Sequence, residues 1–474
     1  MSLMHSRPDV PEPSHANTNT NTNTNAAEGR RPSKTFVASP RISGPLGKRI
    51  DGIADWIRND PQVFRNLTIA LVAAMAVFSI SPIANYLLGY WNKDYDLWFS
   101  VGWFYRHDGI LYPSDDRSFP FMYPPTAALL LSFFSILGRG FFIIALLTVQ
   151  SAAWLGCILL SVRLATGKAL RQDPLLYLIP SLWVIPCIHD MYLLGQPNML
   201  LLCMMLGAFV GLREERPWLA GSLIGLAAAI KAFPVMAVGY LIWRRQWKAT
   251  AALVLSMVFF LLVLPLPIRG PAQTWKDMTL WTNGMVLKYD EGTIAQRPDR
   301  AYSFKNQSIV AVMNRMLRDV PANGEAKDNW YVNVASLDFK TVNTLLAGAA
   351  MVLGLCYVVV MPPKRLRSDK TDAVEMAILL LLILAFSPFA FNYFYVWLLY
   401  PVTVVLARWN DAAEGSRDRE VLKIGLLAAL AVFATSILSV KVSQAYGNLL
   451  LADLILLTLL GWWLLRQRAA SSIS

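Results

Sequence analysis

Residues 140–163 read GFFIIALLTVQSAAWLGCILLSVR, and no charged side chain interrupts this stretch before Arg163. An α-helix rises about 1.5 Å per residue, so about 20 apolar residues cross a hydrocarbon core of about 30 Å. Apolar runs of similar length occupy residues 67–88, 249–268, 341–361, 424–440 and 447–465. The hydropathy pattern therefore predicts an all-α polytopic membrane protein.

The composition of the chain agrees with this prediction. The chain has 474 residues, of which 55% are hydrophobic and only 16% are charged. Soluble domains carry roughly 25% charged residues, so this chain has too few charges to solvate a globular surface of its size. A soluble enzyme, a nucleic-acid-binding module and a disordered scaffold are therefore disfavoured. The net charge of +12 instead indicates cations that anchor one face of a membrane protein.

Shorter apolar runs lie between the long ones, at residues 174–188, 199–212, 218–230, 232–243, 373–387 and 394–408. With the long runs they give about 12 predicted transmembrane helices. A further run at 126–137 follows Pro124-Pro125 and either spans the membrane or lies at its surface. If it is interfacial, the later basic connections all fall on one side, as the positive-inside rule requires. We therefore predict an interfacial helix there and place both termini in the cytoplasm.

The predicted organisation has four parts. Residues 1–45 are rich in Pro, Ser and Asn and form a disordered cytoplasmic tail, because this composition cannot bury a core. Residues 46–66 form a basic amphipathic segment that lies on the membrane, with a solvated linker as the alternative. Residues 67–465 form the transmembrane domain, with outer loops at about 89–139 and 269–340, and residues 466–474 form a second cytoplasmic tail.

Polar residues at the ends of the predicted helices all fall on the outer side in this topology. Asp94 and Asp96 follow the first span, and Lys231 separates two short runs. The other clusters on that side contain His189, Asp190, Gln196, Asn198, Asn306, Gln307, Asn392 and Tyr393. Polar groups at membrane depth are costly unless they line water or bind a ligand. Because these polar residues lie on one side of the membrane, we predict an active-site cavity at the outer leaflet.

The charged members of these clusters suit two kinds of chemistry. A carboxylate at Asp94 or Asp96 can act as a general base towards an acceptor hydroxyl, with a solvated loop aspartate as the alternative. The ammonium group of Lys231 can bind a phosphate headgroup. Its alternative is an ion pair with Asp190 within the membrane.

The uncharged members are less specific. Gln196 and Asn198 can position a substrate or can simply be hydrogen-bonding residues at a helix end, with Asn198 as an N-cap. His189 and His107 lack the spacing of metal ligands. We therefore predict no metal site and no cofactor, with a divalent cation as an alternative that no feature of the sequence supports.

Seven short motifs follow one another along the chain: Asp96-Leu-Trp-Phe, Gly109-Ile-Leu-Tyr112, Phe121-Met-Tyr123-Pro124-Pro125, Gly195-Gln196-Pro197-Asn198, Lys231-Ala-Phe-Pro234, Asn306-Gln307-Ser308 and Ser387-Pro388. This ordered series resembles the integral-membrane GT-C glycosyltransferases over roughly residues 67–465. It is most similar to glycosyltransferase family 87. That family includes polyprenyl-phosphate-mannose-dependent mannosyltransferases of bacterial glycolipid assembly.

The resemblance implies a GT-C fold and assigns roles to individual residues. Asp96 matches the position of a catalytic base just after the first span, with Asp94 as the fallback. Lys231 would lie near the donor phosphate. The implied substrate-positioning residues are Tyr123, His189, Gln196, Asn198, Asn306, Gln307, Asn392 and Tyr393.

The resemblance also implies a function. We expect transfer of a hexose, mannose or a related sugar, from polyprenyl phosphate to a hydroxyl of a lipid or glycan acceptor. The reaction would invert the anomeric carbon at the outer leaflet of the cytoplasmic membrane. The expected partners are the donor, the acceptor and membrane lipids, and not nucleic acid. The alternative is a transporter or flippase of a lipid-linked anionic substrate, although no internal repeat is visible.

One position departs from the family pattern. Relatives often carry a histidine pair shortly after the motif that matches Ser387-Pro388, where this chain has Tyr393-Phe394. A tyrosine there can hydrogen-bond to a substrate but cannot supply a cation. The resemblance therefore leaves the identities of the sugar and the acceptor open.

Overall fold

The computed structural model describes residues 61–107, 109–112, 121–167, 173–295, 301–323 and 329–471. The predicted tail at 1–45 and most of the amphipathic segment at 46–66 lie outside these residues. Residues 61–66 already belong to the first helix. At the other end, helix continues through Ser471, beyond the start of the tail predicted at 466, and Arg468 in its last turn complements the helix dipole.

The described residues fold almost entirely into helices. The first half contains α1 (Pro61–Leu87), α2 (Asp94–Arg106), α3 (Pro125–Phe134), α4 (Arg139–Thr166), α5 (Leu175–Trp183), α6 (Ile185–Leu194), α7 (Asn198–Arg213), α8 (Pro217–Ile230) and α9 (Ala237–Trp243). The second half contains α10 (Trp247–Val258), α11 (Leu266–Trp281), α12 (Ile309–Leu317), α13 (Phe339–Val360), α14 (Asp369–Phe386), α15 (Leu399–Asp411), α16 (Arg417–Leu438), α17 (Val440–Ala445) and α18 (Asn448–Ser471). Among these residues there is no β-strand, only an isolated bridge between Tyr289 and Ile294. The all-α prediction is confirmed.

Several helices suit a membrane-spanning role. Those long and apolar enough are Gln62–Leu87, Arg139–Thr166, Phe339–Val360, Arg417–Leu438 and Asn448–Ala470. If each of two bent helix pairs forms one span, the described part of the chain has up to seven candidate spans. The remaining predicted runs are helical but shorter, so a multi-pass membrane protein is supported and the count of 12 spans stays a prediction.

Two predicted runs are bent rather than straight. The run at 174–188 is divided between α5 and α6, which meet at an angle of 61°, and Pro186 lies at the start of α6. The run at 249–268 bends by 95° between α10 and α11, where Pro265 and Pro267 occur. Proline lacks an amide N–H and disfavours helix in the preceding residue, so both bends follow from the sequence.

The two predicted outer loops also contain helices. α3 and a 3-10 turn at Ser135–Leu137 cover the run at 126–137. The second outer loop, predicted at 269–340, contains most of α11, a π-helical turn at Thr282–Val286, and α12. Pro125–Leu137 has 13 residues, so it is about 20 Å long and too short to cross a bilayer. Its interfacial position stays a prediction.

Small residues allow α8 and α10 to pack closely. Gly221 and Gly225 lie four residues apart on one face of α8. A Cβ atom at Gly221 would overlap the carbonyl oxygen of Ala249, and one at Gly225 would lie 2.8 Å from that of Leu253. Glycines at this spacing let two membrane helices approach backbone to backbone. This contact fixes the end of α8, which leads directly into Lys231.

Candidate active site

Asp94 and Asp96 lie in the first turn of α2. Carboxylates are favourable there because the N-terminus of a helix carries a partial positive charge. Two residues in a helix are separated by about 200° around its axis, so these side chains face different parts of the structure. Their contacts confirm that they do.

Asp96 is buried in an ion pair with Arg139, the first residue of α4. The Nε of Arg139 lies 2.5 Å from Oδ1 of Asp96, and its Nη2 lies 2.8 Å from Oδ2. The amide of Asn92 also donates to Oδ2, at 2.5 Å, and Nη2 of Arg139 donates to the carbonyl of Tyr90. Both carboxylate oxygens are therefore engaged in joining α2 to α4.

Asp94 instead faces the end of α6. The side-chain amide of Gln196 donates a hydrogen bond to Oδ2 of Asp94. The hydroxyl of Tyr123 donates to Oε1 of the same amide at 2.6 Å. Because Tyr123 engages the amide oxygen, the amide nitrogen must face the carboxylate. The orientation of Asp94 is thus set by two side chains predicted to position substrate.

Gly195 places Gln196 in this arrangement. It ends α6 in the left-handed conformation, with φ of 77°. A Cβ atom there would lie 3.1 Å from the ring of Tyr95. Glycine adopts positive φ without steric cost, whereas other residues do so rarely. The Gly195-Gln196 pair therefore has a structural reason in addition to its place in the motif series.

Lys231 lies where α8 ends and the backbone becomes extended, with φ of −152°. Its Nζ donates to Oδ1 of Asn198 at 3.0 Å. Four aromatic rings surround the ammonium group, with centroids 3.7–5.8 Å away, and they belong to Phe394, Tyr123, Tyr393 and Phe233. Such contacts stabilise a cation by about 0.5–2 kcal/mol each. A half-buried cation is therefore held at the end of an apolar helix.

Asn198 and Tyr393 complete this group. The Nδ2 of Asn198 donates to the carbonyl of Tyr393 at 3.1 Å, and the indole of Trp397 donates to the carbonyl of Asn198. The alternative of Asn198 as an N-cap is not seen, since α7 begins at this residue without a side-chain cap. We refer to Asp94, Tyr123, Gln196, Asn198, Lys231 and Tyr393 as the Lys231 cluster.

His189 and Asn392 form a separate group with Asp190. Asn392 donates to Oδ2 of Asp190 at 2.5 Å, and the Nδ1 of His189 lies 3.6 Å from Oδ1. His189 also contacts the ring of Phe78 by its edge. The recorded contacts of Asp190, the predicted alternative partner of Lys231, are thus made with His189 and Asn392. Substrate positioning by His189 and Asn392 stays a prediction.

Asn306 and Gln307 are buried in a third place. The amide of Asn306 donates to the carbonyls of Ala301 and Pro388, and its oxygen accepts from the amide of Ala390. Gln307 donates to the carbonyls of Phe304 and Gln444. These bonds join the second outer loop to the segment after α14. The substrate role of Asn306 and Gln307 also stays a prediction.

Arg315 strengthens the same junction. Its guanidinium is buried and donates to five carbonyl oxygens, those of Tyr302, Ser303, Asn306, Gln444 and Ala445. Burial lowers the pKa of the Arg315 guanidinium from its ordinary value to about 9. The side chain is therefore still charged at neutral pH, and the carbonyl dipoles compensate that charge.

Two contributors were missed by sequence reasoning. Arg139 holds Asp96, and Phe394 provides the ring closest to Lys231. The available signal for Arg139 was a cation at the predicted outer end of a span, where few cations are expected. Nothing in the local pattern distinguishes Phe394 from the other aromatic residues of its segment.

The arrangement unites the two kinds of group that the sequence predicts. Tyr123 contacts both halves of the Lys231 cluster, because its hydroxyl reaches Gln196 and its ring lies 5.0 Å from Nζ of Lys231. A carboxylate that can accept a proton and a cation that can bind a phosphate therefore belong to one network of contacts. Among the described residues, no three His, Cys, Asp or Glu side chains are grouped to hold a metal ion.

Comparison with known proteins gives two kinds of match. Two curated relatives carry the name polyprenol-phosphate-mannose-dependent alpha-(1-2)-phosphatidylinositol pentamannoside mannosyltransferase. The one from Mycobacterium tuberculosis is 34% identical over 165 residues, covering 33% of this chain and 36% of the relative. The one from Mycolicibacterium smegmatis is 32% identical over 145 residues, covering 31% and 34%. The matched region thus spans about a third of each relative.

The second match is broader. Residues 121–388 match the sequence profile described as glycosyltransferase family 87. This range contains four residues of the Lys231 cluster, namely Tyr123, Gln196, Asn198 and Lys231, together with the Ser387-Pro388 motif. It begins after Asp94 and Asp96 and ends before Tyr393. It covers more than half of the chain, and the predicted family is confirmed: the chain belongs to glycosyltransferase family 87.

Proposed function

We propose that this protein is an integral-membrane glycosyltransferase that moves mannose from polyprenyl phosphate to a hydroxyl group of a glycolipid acceptor. The observation that carries the proposal is the Lys231 cluster, which joins a carboxylate and a cation through Tyr123. Family membership and the names of the two relatives support the donor. An anionic lipid-linked sugar and a neutral hydroxyl need these two groups.

Lys231 is the proposed donor-binding residue. Its ammonium group would contact the phosphate of the donor, while the polyprenyl chain stays among the apolar helices. When the bond between the anomeric carbon and the phosphate oxygen breaks, the bonding electrons leave with the phosphate. A cation placed at that oxygen stabilises the developing charge, and it does so more effectively than it would in water. Asn198 and the surrounding rings keep Nζ in position.

Asp94 is the proposed general base. Its carboxylate would accept the proton of the acceptor hydroxyl while the hydroxyl oxygen attacks the anomeric carbon from the side opposite the phosphate. Configuration at that carbon is then inverted, so a β-linked donor gives an α-linked product. Gln196 donates a hydrogen bond to Oδ2 of Asp94 and thereby orients the carboxylate. Asp96, the residue that the motif order favours, remains the alternative base.

The positive-inside pattern supports the proposed orientation. The basic connections 213–216, 244–248 and 364–370 lie at the helix ends opposite the Lys231 cluster. If these connections face the cytoplasm, the cluster opens to the outer face of the cytoplasmic membrane. The acceptor would then approach from outside, and both termini would lie in the cytoplasm.

A transfer assay tests the proposal. Purified protein in phospholipid vesicles would receive polyprenyl-phosphate [14C]mannose and a phosphatidylinositol mannoside, and the products would be separated by thin-layer chromatography. We expect labelled glycolipid from the unmodified protein and from Arg245→Ala, an exposed cation outside the cluster, but little from Lys231→Met. Movement of the donor across the bilayer without any transfer would instead favour the transporter.

A further inference from the structure

A polar cavity lies one helix length away from the Lys231 cluster. α7 runs from Asn198, which contacts Lys231, to Arg213, and α8 returns from Pro217 to Ile230. Sixteen helical residues span about 24 Å. At the far ends of α7 and α8 is a cavity of about 540 Å³. Its volume falls in the range typical of ligand sites, about 300–1,000 Å³.

The cavity is lined by balanced charges from helix ends and the connections between them. Its cations are Arg213, Lys248 and Arg367, and its acids are Glu215, Asp369 and Asp372. A site for a simple anion would have an excess of cations, and a site for a metal ion would have an excess of acids. This lining has neither, so it complements a ligand that carries both charges.

Two of the three cations are already paired within the cavity wall. Arg213 donates to the carbonyl of Asp369 at 2.9 Å and lies 3.8 Å from its carboxylate. Arg367 donates to the carboxylate of Asp372 at 2.8 Å. The side chains of Lys248 and Glu215 make no hydrogen bond or ion pair with any residue that the structure describes. One cation and one acid are therefore available to a ligand.

Tryptophans mark the depth of this cavity in the membrane. Trp218, Trp243 and Trp247 are all more than half exposed, and they lie on the same connections as Glu215 and Lys248. Exposed tryptophan side chains are enriched at the level of the lipid headgroups, because their rings are amphipathic. The tryptophans thus place the opening of the cavity at the level of the lipid headgroups. Headgroups are the most concentrated polar ligands at that level.

We propose that this cavity binds the headgroup of a zwitterionic phospholipid with a primary ammonium group. The phosphate lies against Lys248 and Arg213, and the ammonium group lies against Glu215. A primary ammonium donates up to three hydrogen bonds to carboxylates, whereas a quaternary ammonium donates none. A headgroup with a phosphate but no ammonium group would leave the carboxylate of Glu215 without a cation. The proposal does not depend on the transferase function.

Native mass spectrometry of the full chain tests the proposal. Detergent-solubilised protein would be mixed with equal amounts of phosphatidylethanolamine, phosphatidylcholine and phosphatidylglycerol that carry the same acyl chains. We expect phosphatidylethanolamine to be retained at least about five-fold more than either of the others. Glu215→Gln and Lys248→Ala should each abolish this preference. Arg245→Ala removes an exposed cation of the same connection that does not line the cavity, and it should leave the preference unchanged.

Three results would overturn the proposal. Retention of phosphatidylglycerol at or above that of phosphatidylethanolamine would make the site anionic in its preference. Equal loss in Arg245→Ala would show that general surface charge is responsible. Competition by free phosphoethanolamine at the same concentration as the lipid would identify a soluble ligand. Glu215 and Lys248 are exposed, so their replacement should not alter the thermal unfolding temperature, which serves as the folding control.

Discussion

Asp94 and Asp96 are two residues apart, yet their surroundings differ in kind. Asp96 is buried between Arg139 and the backbone, and both of its oxygens are held by hydrogen bonds. Asp94 is half-buried, and contacts through Gln196 and Tyr123 connect it to Lys231. The carboxylate of Asp96 therefore connects two helices, and the carboxylate of Asp94 faces the candidate active site.

The difference shows that position along the chain and position around a helix carry separate information. Both acids follow the first span, so a motif series ranks them by spacing alone. The phase of α2 separates them, because it turns one side chain towards α4 and the other towards the end of α6. Geometry thus favours Asp94 as the base, while the assignment of Asp96 stays a prediction.

The largest expected effect comes from removing each acid in turn. Asp94→Asn should lower kcat by about 100-fold to 10,000-fold, since this is the usual contribution of a general base. Asp96→Asn should lower kcat by less than about 10-fold, because it weakens a contact between helices. Steady-state transfer rates of correctly inserted variants measure both. A reversed ranking would assign the base to Asp96.

Lys231→Met tests the proposed phosphate-binding role of the cation in the Lys231 cluster. Loss of a charged hydrogen bond costs about 1.5–3 kcal/mol, so kcat/KM for the donor should fall about 10-fold to 150-fold. Lys231→Arg keeps the charge and can stack on the aromatic rings, so it should retain much of the activity. Unchanged donor kinetics in Lys231→Met would exclude a phosphate-binding role.

Tyr123→Phe separates the two halves of the cluster. It removes the hydroxyl that orients Gln196 but keeps the ring near Lys231. We expect kcat to fall about five-fold to 10-fold, as for one hydrogen bond of about 1 kcal/mol, with the donor KM unchanged. Tyr123→Leu removes the ring as well and should also raise the donor KM. If both variants behave alike, Tyr123 acts only by packing.

The smallest catalytic effect is expected at Arg139. Arg139→Gln should change kcat by less than about three-fold but lower stability by about 1–2 kcal/mol, because the ion pair is partly exposed to solvent. A double-mutant cycle with Asp96→Asn, followed by thermal unfolding, measures the coupling directly. Additive losses of stability would mean that the two side chains do not stabilise each other.

The sequence predicted the membrane architecture well because hydropathy acts over whole helices. The runs at 140–163 and 341–361 coincide with α4 and α13. The bends at Val184 and Leu264 could have been inferred from the neighbouring prolines, but not their angles, which depend on packing against other helices. The number of spans was harder to predict, since α7 and α8 are too short for their length alone to show that they cross the membrane.

The site was only partly predictable. The association of Gln196, Asn198 and Lys231 agrees with the motif order, and the structure brings them together. Asn306 and Gln307 look similar in sequence but bond to backbone carbonyls elsewhere. An amide side chain can hydrogen-bond equally well to a substrate or to the backbone of a loop. Its partner therefore depends on tertiary contacts. The same holds for Arg139, whose partner lies 43 residues away.

The pH dependence of kcat in the two acid variants tests the assignment of Asp94 most directly. A general base must be deprotonated, so the rate of the unmodified enzyme should fall as the pH falls through the titration of that base. We predict that Asp96→Asn keeps this acidic limb and that the residual rate of Asp94→Asn has lost it. Loss of the limb in Asp96→Asn, with its retention in Asp94→Asn, would contradict the account.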